Sequence, residues 1–337
     1  MRVGIEDKDR DIDIIIRILN SVRGEITLND LLVKLLMKNL TSSDLLFLIL
    51  QKLERKKVLL GSRGVVKMLT PVNEKIASKV KQEIIYELRK NKMLFVTPLE
   101  VGKYYQCPRR LFLEKVVLSR QHKERRGRVW DGEVVHLAVN LMIKRFTEPI
   151  KKVVEDSASI ALSRYRGKTQ LNKKTLVDFL MNLYDFLVEE KFTKIFTEKT
   201  FESFKHGLIG TPDIVGLKKN CELFPMDIKL GKVPTREIKE EHLLQCTGET
   251  ILVEDFFRKP INNSYLIYFQ SNSLVRIMID NEMKRKFLGF KKEIERMCRS
   301  GRIPPMSSLF NFRRRVCLGC HVREVCQNIE ELKKVGY

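Results

Sequence analysis

The order of apolar and polar positions in the first part of the chain predicts a small helical unit that ends in a hairpin. Apolar side chains recur every three or four residues in three segments: 11–21, 28–38 and 45–56. This period is typical of helices that bury one face, and Thr27 takes the N-cap position of the second helix. Two short β-like runs, 58–60 and 65–69, flank a glycine-containing turn and predict a hairpin. Three helices followed by a hairpin is the element order of a winged helix.

The winged-helix interpretation predicts a function and leaves an alternative open. The second and third helices would form a helix-turn-helix pair, with Arg63 at the tip of the wing. Such a module binds DNA or docks onto a protein, while a plain helical packing unit fits the same pattern. Pro71 ends the unit, and 74–91 predicts a charged amphipathic helix. We predict a winged-helix-like domain at 1–70, a helical linker at 71–92 and a larger domain at 93–337.

The larger domain contains both predicted strands and predicted helices. Short apolar runs at 208–210, 213–215 and 222–226 predict strands. Longer apolar segments at 134–146 and after residue 241 predict helices.

Composition narrows the classes of partner. The 337 residues include 64 Lys and Arg against 42 Asp and Glu, a formal net charge of +22. This excess predicts a polyanionic partner, and nucleic acid fits better than a membrane because no apolar run approaches the roughly 20 residues that cross a bilayer. The N-terminal segment lacks the apolar centre of a signal peptide, so we expect a cytoplasmic protein. Seven cysteines, an odd number, argue against a disulfide framework.

Four cysteines form the strongest chemical signal. Cys317, Cys320 and Cys326 follow the spacing C-x2-C-x5-C, and Cys107 lies far upstream beside a proline and two arginines that favour a thiolate. An iron–sulfur cluster or a soft metal ion needs four ligands, so three local thiolates require a fourth, for which Cys107 is the best candidate. The alternative fourth ligands are Cys221, Cys246, Cys298 and His321. Zinc would fit the triplet as well as iron, and unrelated free thiols are the remaining interpretation.

Two carboxylates at the ends of predicted strands form the second signal. Asp213 follows a Thr-Pro pair, and Asp227 opens the run Asp227-Ile228-Lys229. Carboxylates on neighbouring strands can share a hard divalent cation. Because Lys229 follows Asp227 by two residues, it shares the strand face, where its ammonium can hold a water or offset phosphate charge. This is the PD…D-x-K pattern of metal-dependent nucleases, although two strand-end aspartates beside a solvated lysine would also produce it.

Further polar side chains could complete such a site. His136, near the start of the helix at 134–146, is either a metal ligand with Asp213 and Asp227 or a buried core histidine. Gln245, on the helix after residue 241, could hydrogen-bond a phosphate or a base, or lie on the helix surface.

Other side chains are candidate DNA contacts outside this set. Tyr104 could stack on bases of a single strand, as could Tyr105 and Trp130, although each aromatic ring is as readily a core residue. Arg109 and Arg110 are also predicted DNA contacts.

The order of these motifs resembles that of RecB-like nucleases with an iron–sulfur cluster, in particular the CRISPR-associated exonuclease family of the Cas-four type. The resemblance covers residues 96 to about 327. The segments that carry it are Val-Thr-Pro-Leu-Glu-Val at 96–101, Cys-Pro-Arg-Arg at 107–110, Gly-x-x-x-His at 132–136, Gly-x-x-Asp at 210–213, Asp-x-Lys at 227–229 and Gly-Arg-Ile-Pro at 301–304.

The resemblance implies a restriction-endonuclease-like α/β core of the RecB type, preceded here by a mainly α winged-helix-like domain. It implies a site for Mg²⁺ or Mn²⁺, with Lys229, Asp227 and Asp213 catalytic. The implied metal ligands are His136, Asp213, Asp227 and the backbone carbonyl of Ile228. The implied ligands of a 4Fe–4S cluster are Cys107, Cys317, Cys320 and Cys326. Members of the family cut DNA, often at single-stranded ends, and many trim fragments that enter CRISPR arrays.

At two points the chain departs from the family pattern. The Gln-x-x-x-Tyr motif is here Gln245-x-x-x-Glu249, so the tyrosine contact is absent. The N-terminal unit at 1–92 is not part of the usual compact member.

Together these observations predict a metal-dependent DNA nuclease in CRISPR spacer acquisition or DNA repair. It would act on single-stranded ends as an exonuclease, or else as an endonuclease, with CRISPR adaptation proteins as partners. The alternative is a catalytically weak or inactive DNA-binding platform in an adaptation complex. A zinc-stabilised transcription regulator is a third interpretation.

Overall fold

The chain divides into two compact units, each assembled from separate segments. The computed structural model describes residues 5–22, 24–38, 40, 43–62, 65–90, 94–117, 127–146, 148–305, 317–318 and 320–334. The first unit consists of Met1–Thr97, Lys199–Thr211 and Ile251–Pro260. The second consists of Pro98–Glu198, Pro212–Thr250 and Ile261–Tyr337. The predicted domain boundaries after residues 70 and 92 stay predictions.

Among the residues described in the N-terminal part of the first unit there are four helices and a small sheet. Their bounds are α1 Ile5–Asn20, β1 Glu25–Thr27, α2 Leu28–Met37, α3 Ser43–Arg55, β2 Leu59–Ser62, β3 Val65–Met68 and α4 Glu74–Lys90. Both β1 and β2 pair antiparallel with β3, so the strand order is β1-β3-β2. The predicted cap on α2 is confirmed, because Thr27 Oγ1 accepts a hydrogen bond from the Asp30 N–H at 3.1 Å. The predicted helices and strands are present, although α1 begins at Ile5, six residues before the predicted start at residue 11, while Arg63 lies outside the described residues.

The described residues of the rest of the chain form both helices and strands. The helices are α5 Pro98–Gln106, α6 Pro108–Phe112 with a π-helical turn at Leu113–Val117, α7 Gly127–Lys144, α8 Ile150–Arg164, α9 Lys173–Glu189, α10 Glu240–Phe257, α11 Asn281–Ser300 and α12 Arg323–Lys334. The strands are β4 Phe192–Thr197, β5 Phe201–Ser203, β6 Leu208–Gly210, β7 Ile214–Lys218, β8 Leu223–Lys229, β9 Asn263–Tyr268 and β10 Ser273–Met278. This mixture confirms the predicted α/β class.

A five-stranded sheet organises the second unit. Its strand order is β10-β9-β8-β7-β4, in which β8 and β9 are parallel and the other pairs are antiparallel. The alternation of side chains along β9 separates two cores. Ile267 packs with apolar residues of α7, α8 and α9, whereas Leu266 and Tyr268 pack with Cys246 of α10 on the opposite face. The central strand β8 is therefore covered on both faces, and only its last residue, Lys229, is part-exposed.

The two later segments of the first unit carry large apolar side chains. Phe201 of β5 and Phe256 near the end of α10 meet with ring centroids 5.2 Å apart, and both rings are buried. A buried ion pair joins β5 to the first helix, with Lys8 Nζ 2.6 Å from Glu202 Oε2. Residues 199–211 and 251–260 thus share a core with the N-terminal helices, although they lie far away in sequence.

The described helices include none that combines the length and the apolar character needed to cross a membrane.

Candidate metal-dependent nuclease site

Asp227 and Lys229, the two charged residues of the Asp-x-Lys run, lie at the end of β8. The two side chains share one face of the strand, and Lys229 Nζ lies 2.7 Å from Asp227 Oδ2. Asp227 is only 3% exposed, whereas the Lys229 side chain keeps 17% of its surface exposed. This confirms the predicted placement of both residues on one strand face.

Asp213 comes directly before β7, the antiparallel neighbour of β8. Its Oδ2 accepts a hydrogen bond from the Ile228 N–H at 2.6 Å, so the backbone between Asp227 and Lys229 fixes this carboxylate. Its Oδ1 lies 3.2 Å from His136 Nδ1. The structure therefore brings together the three side chains predicted as metal ligands, and the ligand role of the Ile228 carbonyl stays a prediction.

His136 projects from α7 toward the strand ends and is held there electrostatically. Burial lowers the pKa of His136, but the hydrogen bond and the charge of Asp213 outweigh it, so the net pKa lies above the usual value. The charges of Asp227 and Glu198 act in the same direction. The imidazole is thus a member of the carboxylate cluster rather than a histidine of the apolar core.

Glu198 is a carboxylate that the sequence interpretation missed. Its side chain accepts a hydrogen bond from Asn140 Nδ2, one helical turn after His136 on α7. Asn140 Oδ1 in turn accepts a hydrogen bond from Thr197 at 2.7 Å. The backbone of Glu198 has a φ of 51°, in the left-handed region that favours glycine, and its N–H meets the Asp213 carbonyl at 3.4 Å. No motif marked this residue, because only the end of β4 places it beside the site.

Gln245 of α10 bridges the charged groups. Its Oε1 accepts a hydrogen bond from Lys229 Nζ at 2.7 Å. Its Nε2 donates to Asp227 Oδ1 at 2.7 Å and to Glu249 Oε1 at 2.9 Å. The structure therefore places Gln245 in the site rather than on a free helix surface.

Glu249 occupies the position of the absent tyrosine and points into the same site. It lies one turn after Gln245, is 3% exposed, and its Oε2 meets no hydrogen-bond donor among the described residues. The spacing in Gln245-x-x-x-Glu249 could have revealed this placement, because residues four apart share a helix face.

Burial dominates the electrostatics of these carboxylates. It raises the pKa of Asp227 to about 6, with a further contribution from Asp213 and an opposing one from Lys229. Burial also raises the pKa of Glu249 well above its usual value, and the charge of Asp227 adds to the rise. For Lys229, burial lowers the pKa, but Asp227 outweighs it and the net pKa is raised. Lys229 is therefore a cation at neutral pH.

The donor set fits a hard divalent cation by its chemistry. Two carboxylates and an imidazole face one another, and Asp227 Oδ2, apart from its ion pair with Lys229, meets no well-aligned donor among the described residues. A buried carboxylate oxygen that accepts no hydrogen bond favours a cation beside it. Within the described ranges, no three His, Cys, Asp or Glu side chains are already arranged as a coordination shell. The residues thus match Mg²⁺ or Mn²⁺ in donor type.

Comparison with known protein families agrees with this geometry. Residues 96–327 match the PD-(D/E)XK nuclease superfamily. The chain belongs to this superfamily. Membership implies a divalent-metal-dependent nuclease, and Mg²⁺ or Mn²⁺ is the cofactor that the superfamily uses. No curated protein matches the chain.

One solved structure that is similar to this PD-(D/E)XK nuclease is titled "Crystal structure of SSO0001". It is 13% identical, and the match covers 83% of this chain and 94% of that chain with a TM-score of 0.33.

The cysteines of this PD-(D/E)XK nuclease lie in a different part of the second unit. Burial raises the pKa of the Cys107 thiol, the Arg110 N–H partly opposes it, and the nearby thiols of Cys320, Cys317 and Cys326 raise it further. The four thiols are thus close enough to influence one another, although the described residues contain no arranged metal-binding group. The alternative ligands lie elsewhere or are engaged: Cys246 is buried in α10, Cys298 lies on α11, Cys221 follows β7, and His321 faces Glu114 at 3.1 Å.

Arg109 is buried among these cysteines, which does not fit its predicted role as a DNA contact. It is 1% exposed, and its Nε donates to Cys326 Sγ at 2.9 Å. Its two other nitrogens donate to the carbonyls of Pro304 at 3.0 Å and Cys326 at 3.3 Å. The guanidinium therefore fastens the C-terminal segment. Sequence reasoning missed this role because both partners are about 200 residues away.

The other predicted DNA contacts also have protein partners. Arg110 Nε donates to Glu114 at 2.8 Å. Tyr104 packs against Phe290 of α11 with ring centroids 6.1 Å apart, and burial raises its pKa to about 12, with the charge of Glu293 adding to the rise. Contact of Tyr104 or Arg110 with DNA stays a prediction.

Proposed function

We propose that this PD-(D/E)XK nuclease hydrolyses phosphodiester bonds of single-stranded DNA. The observation that carries the proposal is the convergence of His136, Asp213, Asp227 and Lys229 at the ends of β7 and β8, with Gln245 bridging the last two. A site that combines hard oxygen donors with a part-exposed ammonium suits a negatively charged phosphate ester.

The roles of the side chains follow from their surroundings. His136, Asp213 and Asp227 would hold the cation. When bound, Mg²⁺ or Mn²⁺ lowers the pKa of a coordinated water and offsets charge on the phosphate. The Lys229 ammonium, held by Asp227 and Gln245 yet part-exposed, orients the attacking water and stabilises charge on the phosphate oxygens.

Cleavage of end-labelled single-stranded DNA with Mn²⁺ tests the enzyme proposal. We expect wild-type protein to cut the strand and Asp227→Ala to lose at least about 100-fold in rate, because a buried metal carboxylate is removed. Asp178→Ala, at an exposed aspartate of α9, is the matched control and should cut normally. Labels at either end, together with a circular single strand, distinguish exonuclease polarity and endonuclease action.

A DNA-binding platform without strong catalysis is the second candidate. The observation that favours it is Glu249, a buried acid at the position of the family tyrosine, so that a carboxyl group stands beside the site where the family has a phenol. Retained DNA binding without Mn²⁺-dependent cleavage in the wild type would establish this candidate and refute the nuclease.

The cellular role rests on the resemblance to CRISPR-associated exonucleases. We propose trimming of DNA fragments for spacer acquisition, or the processing of ends in repair, in the cytoplasm. Co-purification with CRISPR adaptation proteins supports the first role. Sensitivity of a deletion strain to DNA damage, without a defect in spacer acquisition, supports the second.

We further propose a 4Fe–4S cluster on Cys107, Cys317, Cys320 and Cys326. The mutual influence of these thiols on the pKa of Cys107 supports it, as does the hydrogen bond from Arg109 to Cys326 Sγ. Its role would be structural, because it would join α6 to the C-terminal segment.

Metal and sulfide analysis of anaerobically purified protein tests the cluster. Cys326→Ser should lose iron, colour and thermal stability together, while Cys221→Ser is the control. Zinc in place of iron would favour the zinc-stabilised alternative. Loss of cleavage with an unchanged melting temperature would contradict a structural role.

For the N-terminal helices and hairpin we propose duplex DNA binding by a winged-helix-like domain. The order α1-β1-α2-α3-β2-β3 supports this proposal. Lys52 on α3 and Lys56 directly after it are paired with Glu83 at 3.7 Å and 3.1 Å, whereas Arg55, the last residue of α3, is exposed. Arg55→Glu should lower duplex affinity while Lys75→Glu on α4 does not. Equal affinities would favour protein docking.

A further inference from the structure

An aromatic side chain with a basic surround lies on the helix that carries His136. Trp130, the single tryptophan of the chain, is part-exposed near the start of α7. Its ring contacts Tyr165, with centroids 5.7 Å apart and planes tilted by 43°. Lys168 Nζ lies over the indole at 4.8 Å from the centroid. A cation beside an aromatic face offers both groups that a nucleotide needs, one for phosphate and one for base.

The loop that carries Tyr165 and Lys168 is fixed against α7. Asp131, next to Trp130, accepts hydrogen bonds through Oδ1 from Thr169 Oγ1 at 2.6 Å and from the Gln170 N–H at 3.0 Å. The aromatic pair is therefore held in place before any ligand arrives, which reduces the entropy lost on binding.

The same loop and its flanking helices form a strongly basic stretch. Five exposed cations lie within eleven residues: Arg164, Arg166, Lys168, Lys173 and Lys174. The sequence has no Asp or Glu between Asp156 and Asp178. We call Trp130, Tyr165 and these five cations the tryptophan platform. A concentration of positive charge around one aromatic face fits a polyanion whose bases are unstacked.

Trp130 of the tryptophan platform and His136 of the nuclease site lie on the same helix, α7. Trp130 and His136 are six residues apart, about 9 Å along the helix axis and about a third of a turn around it. Between them, Gly132 faces Leu230, because a Cβ built on the glycine would lie 3.5 Å from Leu230 Cδ1. Leu230 directly follows Lys229, so this end of α7 lies against the end of β8.

We propose that the tryptophan platform binds single-stranded DNA and presents it to the site at the ends of β7 and β8. One base stacks on Trp130 while Lys168 and its neighbouring cations hold the flanking phosphates. Duplex DNA cannot use the indole in this way, because its bases are stacked on one another. The inference deepens the proposed function and rests on it for the choice of DNA as the ligand.

Fluorescence of the single tryptophan tests the platform without any cleavage. Wild-type protein in excess EDTA is titrated with an oligo(dT) strand, and we expect saturable quenching of Trp130 emission. The slope of log K against log[salt] should be about −0.7 per phosphate contact, and Arg166→Ala/Lys168→Ala/Lys173→Ala should flatten it by about 2. Lys151→Ala/Lys152→Ala/Lys194→Ala removes three exposed lysines elsewhere and is the matched control.

A labelled oligonucleotide measures the contribution of the ring itself. By fluorescence anisotropy, Trp130→Ala should raise the Kd about 10- to 100-fold, whereas Trp130→Phe should lose less because it keeps a stacking face. Duplex DNA of equal length should not quench Trp130 emission, even where it binds elsewhere on the chain. Absence of quenching by oligo(dT) in the wild type, together with unchanged oligo(dT) affinity in Trp130→Ala and in the triple variant, would overturn the inference.

Different results would refute the tryptophan platform and the proposed nuclease activity. Quenching in EDTA without Mn²⁺-dependent cleavage would uphold the platform and refute the nuclease. Asp227-dependent cleavage without any effect of Trp130→Ala or of the triple variant would refute the platform and leave the nuclease intact.

Discussion

At the scale of single residues, the carboxamide of Gln245 is fixed by charge. Its oxygen faces the Lys229 ammonium, and its two N–H groups face Asp227 and Glu249. Turning the amide over would set its oxygen against two carboxylates and its NH2 group against an ammonium. Glu249 thus helps to select one orientation of Gln245, and through it the positions of Asp227 and Lys229.

Replacing Glu249 should lower the turnover number while it raises the stability of the metal-free protein. Glu249→Met removes the acceptor for Gln245 and should lower kcat about 10- to 100-fold, the equivalent of one hydrogen bond to a charged group. Because it also removes a buried acid with an unpartnered oxygen, it should raise the melting temperature of the metal-free protein. Glu249→Gln keeps an acceptor and should lose less activity.

A double-mutant cycle shows whether Glu249 affects activity through Gln245. If Glu249 acts through Gln245, then Glu249→Met should cost little further activity in a Gln245→Ala background. Additive losses in the cycle would show that Glu249 acts independently of the amide.

The raised pKa of Asp227 predicts how the stability of the metal-free protein depends on pH. Its folded pKa of about 6 exceeds the unfolded value of 3.8, so the folded state binds a proton more tightly. This stabilisation is complete below about pH 4 and is lost as the pH rises to about 6. From pH 4 to 6, wild type should therefore lose stability relative to Asp227→Asn, by up to about 3 kcal/mol. Parallel stability curves from urea unfolding in EDTA would contradict the assignment.

At the scale of elements, α10 approaches α11 and the start of α5 through a glycine. A Cβ built on Gly248 would lie 2.5 Å from Phe287 Cε2 and 2.9 Å from Pro98 Cβ. Phe287 is fully buried, so its ring has little room to move. This contact fixes the position of the helix that carries both Gln245 and Glu249.

Two helical glycines give a matched test of that contact. Gly248→Ala should destabilise the protein by about 1–3 kcal/mol, because the methyl group overpacks the core. Gly289→Ala, on α11 with nothing within 4 Å of the added Cβ, should stabilise it by up to about 1 kcal/mol through helix propensity. Thermal unfolding measures both, and equal effects of the two changes would show that α10 can shift to accommodate the methyl.

At the scale of the whole molecule, the first unit includes two segments that lie within residues 96–327, the range that matches the nuclease superfamily. Residues 199–211 lead directly to Asp213, and 251–260 follow the helix segment with Gln245. Buried Phe201, Leu208 and Phe256 belong to these segments.

Deletion of residues 1–92 at the predicted domain boundary should therefore leave an unstable nuclease. The truncated chain would expose the apolar side chains of 199–211 and 251–260, so we expect aggregation or strong binding of a hydrophobic dye. A milder variant, Lys8→Met, leaves Glu202 buried without its cation and should cost about 3–5 kcal/mol. A soluble truncated protein with a wild-type melting temperature would show that the nuclease core is autonomous.

Much of the site could be predicted because its chemistry is encoded locally. Asp227 and Lys229 share a strand face by the period of two, and Gln245 and Glu249 share a helix face by the spacing of four. Glu198 and Arg109 could not be predicted in the same way. Glu198 reaches the site from the end of β4, while the burial of Arg109 depends on partners about 200 residues away.

The sequence by itself determined which segments form helices and strands, and which acids and cysteines carry chemistry, because hydrophobic period and motif spacing act over short distances along the chain. Only the tertiary structure decided that Glu249 faces Asp227 through Gln245, that Arg109 is buried against Cys326, and that residues 199–211 pack with the N-terminal helices. The physical reason is that burial and charge pairing depend on which distant segments meet, and the packing of the whole core selects those meetings.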